Sequence, residues 1–373
     1  MEAKKTNYFV NALKTIWDGI KQPVVATFLG LIVGAIVILI ANISPDINVG
    51  ILEVYAELFK GAFGSGYYTM ASLTRATPII FCAMATAFAW RAGYINIGVE
   101  GQMIVGALVA TCIAVYMPGP GIVVILVSLL AGIVAGGLYA LLAAWLNLNF
   151  GASLVIITLM MNYVANYFAS YMVSFPIKDN TVTGITAQSM EIPADARLPR
   201  LVAGNTIHFG FILAILVTLF LLFIVKKTIF GYESKMSGLN PFFAIYGGVK
   251  RAKVMFLTMF LSGAVGALAG GVEVLGLKYR YIDNMLASGN YAWTGLQAAL
   301  IANLNPVGMF FTSIFLAGLQ QGGAALQRKV DLPLEISTII QCSITLFVSV
   351  KFTWNLIKKK KMQKALTEGG NKQ

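Results

Sequence analysis

The stretch IVVILVSLLAGIVAGGLYALLAAWL, Ile122–Leu146, decides the fold class of this chain. It contains no charged residue, and Ser128 is its only hydroxyl besides the Tyr139 phenol. A helix needs about 20 apolar residues to cross the hydrocarbon core of a bilayer, which is roughly 30 Å thick. The stretch is long enough for this, and it therefore predicts a membrane-spanning helix.

The whole chain shares this apolar character. It is 58% hydrophobic and 11% charged, whereas soluble domains carry roughly 25% charged residues. We predict an all-α, polytopic membrane bundle of about ten helices. The segment at Tyr291 is short and polar, which fits a broken or re-entrant helix. The other predicted spans are Val24–Ile43, Tyr68–Trp90, Ile97–Met117, Leu154–Val173, Phe209–Val225, Val254–Gly276, Tyr291–Leu304, Val307–Leu326 and Pro333–Lys351.

The net charge of +12 is concentrated at the ends of the apolar segments. This pattern follows the positive-inside rule rather than that of a nucleic-acid-binding patch, so lipid is the expected surrounding and nucleic acid is not. It places both termini in the cytoplasm of a cell-membrane protein. We expect a cytoplasmic segment at 1–23, a membrane domain at 24–352 and a basic cytoplasmic tail at 353–373. Within the membrane domain, loop 174–207 should face outward and loop 226–253 inward.

Motifs for nucleotide binding and hydrolysis are absent from the sequence. There is no G-x-x-x-x-G-K-[ST] phosphate loop, no G-x-S-x-G, no H-E-x-x-H and no C-x-x-C. His208 is the only histidine, and no set of nucleophile and base suggests a membrane enzyme. These absences favour transport over catalysis, with no cofactor bound by this chain.

The polar stretch RAGYINIGVEGQ, Arg91–Gln102, separates two apolar runs. Gly93 permits the turn that reverses the chain. If the next span begins at Asn96, then Asn96 and Glu100 share one helical face and Gln102 is turned away from it. We predict the inner mouth of a solute pathway here, and a purely structural re-entry is the alternative.

Three further polar side chains in or near the spans need a reason, because charged groups are costly in a bilayer. Glu273 and Arg75 lie toward span ends, where snorkelling to the interface and a functional role are both open. Asn162 lies in mid-span, where its amide suits either a bond between helices or a contact with solute.

The inward loop contains a short predicted helix. Asn240 and Pro241 suit a helix start, Phe242–Tyr246 forms one apolar turn, and Gly247-Gly248 ends it. A capped aromatic turn among basic residues predicts a docking element for a cytoplasmic partner. An ordinary interfacial helix is the alternative.

Several of these stretches together resemble the nucleoside-type permeases of ABC importers, which are related to ribose and branched-chain amino-acid permeases. The resemblance runs from about Leu58 to Phe347. The motifs that carry it are INIGVEGQ (95–102), TLMMNYVA (158–165), GLNPFFAIYGGV (238–249), LSGAVGALAGGVE (261–273) and SGNYAWTGLQAALIANLNPVG (288–308).

The resemblance implies an import subunit that works with partner ATPases, which would bind ATP and Mg²⁺. It also implies a second related permease and an outer substrate-binding lipoprotein. It places the coupling helix at Asn240–Gly248. The coupling residues it implies are Asn240, Pro241, Phe243, Tyr246, Gly247 and Gly248. The candidate pathway residues are Asn96, Glu100, Gln102, Asn162, Trp293 and Gln297.

The chain departs from the family pattern at three positions. Ile95 stands where phenylalanine is common, Gln297 replaces an apolar residue, and Ala302 replaces a glycine. If the segment with Gln297 and Ala302 lines the pathway, these departures allow a substrate other than the family's usual one. The resemblance implies a nucleoside, with a simple sugar or another small polar solute as the alternative. An ion-coupled secondary transporter is a more distant alternative.

Overall fold

The computed structural model describes residues 29–36, 38–40, 50–181, 186–330, 338–339, 342–343 and 346. In this part of the chain the regular structure is helical, with isolated β-bridges and no strand. The principal helices are α1 (Ile51–Phe63), α2 (Gly66–Arg91), α3 (Val99–Tyr116), α4 (Gly121–Phe150), α5 (Leu154–Ser174), α6 (Gly210–Lys227), α7 (Ile229–Leu239), α8 (Pro241–Tyr246), α9 (Arg251–Glu273, continued by a π-helical turn Val274–Lys278), α10 (Tyr291–Ile301) and α11 (Pro306–Val330). Single helical turns lie at Ala194–Ala196 and Met285–Ser288, and residues 29–36 and 38–40 are also helical.

Seven helices among the described residues are long and apolar enough to cross a membrane: α2, α3, α4, α5, α6, α9 with its π-helical turn, and α11. Seven of the predicted spans are thereby confirmed. At 11 residues, α10 is roughly 16 Å long and too short to cross, as expected for a broken helix. The spans predicted at Val24–Ile43 and Pro333–Lys351 lie largely outside the described residues, so the count of ten stays a prediction.

The chain forms two compact units, one of Met1–Ala62 with Gly322–Gln373 and the other of Phe63–Gln321. In the first unit, α1 buries Leu58. A Cβ added to Gly322 would lie 2.1 Å from the Leu58 carbonyl oxygen. A glycine is therefore needed where α11 meets α1.

The core of the second unit is a close-packed set of α3, α4 and α9. A Cβ on Gly106 of α3 would lie 2.6 Å from the Cα of Ala267 on α9. A Cβ on Gly136 of α4 would lie 2.4 Å from the Ala267 Cβ, and one on Gly270 would lie 2.1 Å from the Met103 carbonyl oxygen. The small residues therefore let three backbones touch, as expected for helices packed in a membrane.

The long loop after α5 is ordered against the segment that follows α9. The Ser189 N–H donates to the Tyr281 carbonyl at 2.8 Å. Glu191 pairs with Arg197 at 2.7 Å and with Arg280 at 2.8 Å, so one carboxylate joins the loop to that segment. These bonds hold a cap at the end of the bundle opposite loop 226–253.

His208 lies at the base of this cap and is 1% exposed. Its Nδ1 accepts a hydrogen bond from the Gly210 N–H at 3.2 Å, and its Nε2 has no partner among the described residues. Burial, with the nearby Arg200 charge, lowers the pKa of His208 to about 4. Since the unfolded chain has a histidine pKa near 6.5, the unfolded state binds the proton more readily.

Folding stability should therefore fall as the pH drops from about 6.5 toward about 4, and the loss by pH 5 is expected to be about 2 kcal/mol. The measurement is the thermal unfolding midpoint at pH 7.5 and pH 5. His208→Asn keeps an acceptor for the Gly210 N–H and should reduce this dependence. An unchanged pH slope in that variant would contradict the assignment.

Candidate functional site

The turn after α2 differs in one respect from the predicted arrangement. Gly93 has φ +85°, as its role in the turn requires, but α3 begins at Val99 rather than at Asn96. The prediction that Asn96 and Glu100 share a helical face is therefore wrong. The Asn96 Oδ1 accepts from the Gly98 N–H at 2.8 Å, and this local bond replaces the helical one.

Asn96 instead pairs with Gln102 in a buried network. Each side-chain amide donates to the oxygen of the other at 3.2 Å. Asn96 Nδ2 also donates to the Ser262 Oγ at 2.9 Å, and the Ser262 hydroxyl donates to the Ala85 carbonyl at 2.7 Å. Asn96 is fully buried and Gln102 is 2% exposed, so this network joins α2, α3 and α9.

Asn162 and Thr158 of α5 support the start of α3. The Gly101 N–H donates to the Asn162 Oδ1 at 2.8 Å, and the Asn162 Nδ2 donates to the Ile97 carbonyl at 3.0 Å. The Thr158 Oγ accepts from the Ile97 N–H at 3.2 Å. A helix start has backbone groups without helical partners, and in a bilayer these groups must be satisfied by protein. The α5 side chains do this.

Replacing Asn162 with alanine should destabilise the permease fold, because the Gly101 N–H and the Ile97 carbonyl each lose their partner. A buried unsatisfied group costs about 1–3 kcal/mol, so a clear fall in the unfolding midpoint in detergent is expected. Asn166→Ala on the same helix is the control, since its amide makes only a 3.5 Å contact with Asn284. Equal midpoints for the two variants would contradict the role of Asn162.

Glu100 and Trp293 face each other across a narrow cleft. Glu100 is half-buried, and the Trp293 side chain lines the same cleft. Trp293 is 40% exposed, and Gln297 is one helical turn further along the same face of α10. The cleft has a volume of about 10 Å³, enough for about one water molecule. It is therefore closed to a solute in this conformation.

The six predicted pathway residues thus fall into two groups. Asn96, Gln102 and Asn162 hold the backbone at the start of α3, whereas Glu100 and Trp293 line the cleft with Gln297 nearby; Asn96 also borders the cleft. A pathway role for each of them stays a prediction.

A second polar cluster was not anticipated from the sequence. Glu273 is fully buried, which decides against interfacial snorkelling. The Tyr291 hydroxyl donates to its Oε1 at 2.9 Å, while Oε2 has no partner in the described part of the chain. The Arg75 guanidinium lies 5.5 Å from the centre of the Tyr291 ring and donates to Gln320 at 2.7 Å. The cluster anchors the first residue of α10, whose other face carries Trp293.

The short helix predicted at Asn240–Gly248 is present as α8, and its coupling role stays a prediction. Pro241 is its first residue, and the Asn240 Oδ1 accepts from the Phe243 N–H at 3.0 Å. The chain leaves the helix through Gly247 and through Gly248, which has φ +85°. The predicted cap, first turn and stop are all confirmed.

The aromatic side chains of α8 point away from the bundle. Phe242 is 86% exposed, Phe243 is 59% exposed and Tyr246 is 91% exposed. An apolar surface of this kind, on a short rigid turn, is typical of a protein-docking site.

The loop carrying α8 contacts the turn after α2 directly. A Cβ on Gly238 would lie 2.1 Å from the Arg91 carbonyl oxygen, and one on Gly93 would lie 3.2 Å from the Gly238 Cα. The Tyr94 hydroxyl donates to the Arg251 carbonyl at 3.2 Å. A cavity of about 350 Å³ lies between the two segments. The exposed face of α8 is thus one contact away from the turn that leads to Asn96 and Glu100.

A family model described as "Branched-chain amino acid transport system / permease component" matches residues 68–349. The chain belongs to this permease family. The permease is 31% identical to the guanosine ABC transporter permease protein NupP of Bacillus subtilis, over 91% of this chain and 96% of that protein. It is 28% identical to the nucleoside ABC transporter permease protein NupB of Lactococcus lactis, over 88% of this chain and 90% of that one.

A third relative has a different named solute. The glucose ABC transporter permease protein TsgB13 of Haloferax volcanii is 28% identical to the permease, over 89% of this chain and 87% of that protein. The family and these relatives confirm the resemblance seen in the motifs. The permease is a multi-pass protein of the cell membrane and the transport subunit of an ABC importer, not an enzyme.

Proposed function

We propose that the permease imports nucleosides by alternating access, as one membrane subunit of an ATP-driven, binding-protein-dependent importer. The observation that carries this proposal is the contact between the α8 loop and the turn after α2, at Gly238 and Arg91. Through this contact, a displacement of α8 by a bound partner would move the residues at the start of α3. Relatives named for guanosine and for nucleosides support the solute class.

Each proposed soluble partner is assigned to one end of the bundle. An ATPase subunit would bind α8 at a cytoplasmic face and supply ATP and Mg²⁺, so this chain needs no cofactor of its own. An outer substrate-binding lipoprotein would meet the cap formed by loop 174–207. A second related permease would complete the membrane part. Both termini, residues 1–23 and 353–373, would then be cytoplasmic, as the lysine and arginine distribution indicates.

Movement of α8 would be passed to the solute in two steps. The Gly93–Gly238 contact would first shift the turn after α2. The Asn96 and Asn162 bonds hold that turn to α3 and α5, so its displacement would alter the position of Glu100 relative to Trp293. Opening of this cleft would give a solute access to the carboxylate and the indole.

The side chains at the cleft suit a nucleoside. The Glu100 carboxylate can accept hydrogen bonds from ribose hydroxyls, and the Gln297 amide can both accept from and donate to ribose hydroxyls and base edges. The Trp293 ring can stack on a planar base. Asn96, Gln102 and Asn162 would contribute by holding the backbone beneath these groups.

Uptake by the complete complex in proteoliposomes tests the proposal. ATP inside the vesicles should drive accumulation of labelled guanosine or uridine, and unlabelled glucose in excess should not compete. Uptake of labelled glucose without nucleoside uptake would favour the sugar alternative that the Haloferax volcanii relative suggests. Uptake by the permease alone, driven by an ion gradient without ATP, would establish a secondary transporter instead.

A further inference from the structure

The exposed side of α5 carries a row of three tyrosines. Tyr163 is 56% exposed, Tyr167 is 74% exposed and Tyr171 is 57% exposed. Because they are spaced four residues apart, they follow one side of the helix. We call these three side chains the tyrosine face.

The exposed sides of neighbouring spans have a different composition. On α4 the exposed residues from Ile122 to Leu142 are all aliphatic. On α6 those from Leu216 to Phe223 are leucine and phenylalanine. Such surfaces are suited to acyl chains. The tyrosine face is the exception among these three spans, and it places phenolic hydroxyls where a lipid-facing helix has none.

The depth of the tyrosines argues against a role at the membrane–water interface. Tyrosine is common at the headgroup level, where its ring is in lipid and its hydroxyl in water. Tyr171 is three residues from the end of α5 and fits this role, but Tyr163 is nine residues from Leu154, roughly 13 Å along the helix. A hydroxyl at that depth needs a polar neighbour.

The described part of the chain does not supply that neighbour. The hydroxyls of the tyrosine face make no hydrogen bond within the described part of the chain, whereas those of Tyr139 on α4 and Tyr291 on α10 do. Tyr139 donates to the Met161 carbonyl at 2.7 Å, and Tyr291 donates to Glu273. An unpaired hydroxyl in hydrocarbon costs free energy, so water or a polar solute is the environment that suits this face.

We propose that the tyrosine face lines the water-filled solute pathway and binds the flat heterocycle of the solute by stacking. The face extends roughly 12 Å, from near the middle of α5 toward loop 174–207. The opposite side of α5 holds the start of α3 through Asn162, next to Glu100. Solute moving along the outer half of α5 would pass the tyrosine rings on its way toward the inner end of the bundle. This inference rests on the proposed import of nucleosides.

Cysteine accessibility in the assembled importer tests the placement. Cys82, Cys112 and Cys342 are first replaced by alanine, and Tyr163→Cys and Tyr167→Cys are introduced one at a time. Leu130→Cys on α4 and Leu219→Cys on α6 are matched controls, with exposures of 59% and 56%. A water-soluble methanethiosulfonate reagent reacts with the thiolate, so the tyrosine-face positions should react at least about tenfold faster than the controls. Excess guanosine should slow that reaction.

Rates equal to those of the controls would overturn the proposal, because the face would then be covered by lipid. A rapid disulfide between this subunit and the second permease, with no reaction with the reagent, would also overturn it. Fast labelling that glucose slows and guanosine does not would support the pathway placement while contradicting nucleoside import. The two proposals can therefore fail separately.

Stacking is tested by uptake kinetics. Tyr163→Phe keeps the ring and should leave the KM for guanosine nearly unchanged, whereas Tyr163→Leu should raise it by about tenfold. Phe220→Leu on α6 is the control for loss of an exposed aromatic ring, and it should have no effect. Equal KM values for the phenylalanine and leucine variants would overturn the stacking role.

Discussion

Replacing Tyr246 with aspartate is expected to abolish solute-stimulated ATP hydrolysis by the assembled importer. Tyr246 is 91% exposed on α8, so the substitution should leave the fold intact while removing an aromatic anchor from the docking surface. Loss of an anchor at the centre of an interface commonly costs 2 kcal/mol or more, or about thirtyfold in affinity. A buried aspartate adds a desolvation cost, and Phe243→Asp should act in the same direction.

The measurement is ATPase activity of the purified complex with and without the binding protein and solute, together with co-purification of the ATPase subunit. Tyr232→Asp is a matched control, because Tyr232 is 62% exposed on α7 in the same loop but is not part of α8. Stimulation that survives in the Tyr246 variant, or is lost equally in the Tyr232 variant, would contradict the docking role of α8.

Replacing Gly238 with alanine is expected to separate ATP hydrolysis from transport. The new Cβ would lie 2.1 Å from the Arg91 carbonyl oxygen, so either the turn after α2 or the α8 loop must move away. Overpacking of this kind costs about 1–3 kcal/mol and displaces backbone. The ATPase subunit should still bind, because the exposed face of α8 is unchanged.

We expect near-normal ATPase binding with uptake reduced at least about tenfold, which corresponds to 1.4 kcal/mol. Uptake and hydrolysis are measured on the same proteoliposomes to give solute moved per ATP. Gly66→Ala is the control, since nothing lies within 4 Å of a Cβ at that position. A Gly238 variant with an unchanged ratio would show that the contact does not carry the coupling.

The sequence was a good guide wherever one local signal is enough. Apolar length located seven spans, because the thickness of a bilayer sets the length of a helix. The cap at Asn240 and the stop at Gly247 located α8 to within a residue, because both depend on adjacent residues. The short α10 was also expected from its polar composition.

The sequence was a poor guide to bonds between distant residues. The sequence prediction extends the helical spacing of α3 back to Asn96. In the structure Asn96 precedes the helix and bonds to Gly98 and Gln102. The pairing of Glu273 with Tyr291 depends on how α9 and α10 meet, and no periodicity encodes that. A charged residue in a membrane span indicates that a polar partner lies nearby, but only the three-dimensional fold shows which residue that partner is.

The glycine contacts of α3, α4 and α9 have a consequence for the kinetics of the molecule. Because the backbones touch at Gly106, Gly136 and Gly270, separating one helix from the next would expose its peptide groups. Amide hydrogens in the middle of these helices should exchange with deuterium only through rare global opening, over hours or longer. Those of α10 should exchange much faster. During the transport cycle α3, α4 and α9 would then stay packed together while other helices move. A map of exchange rates along the chain would show which residues belong to this rigid set.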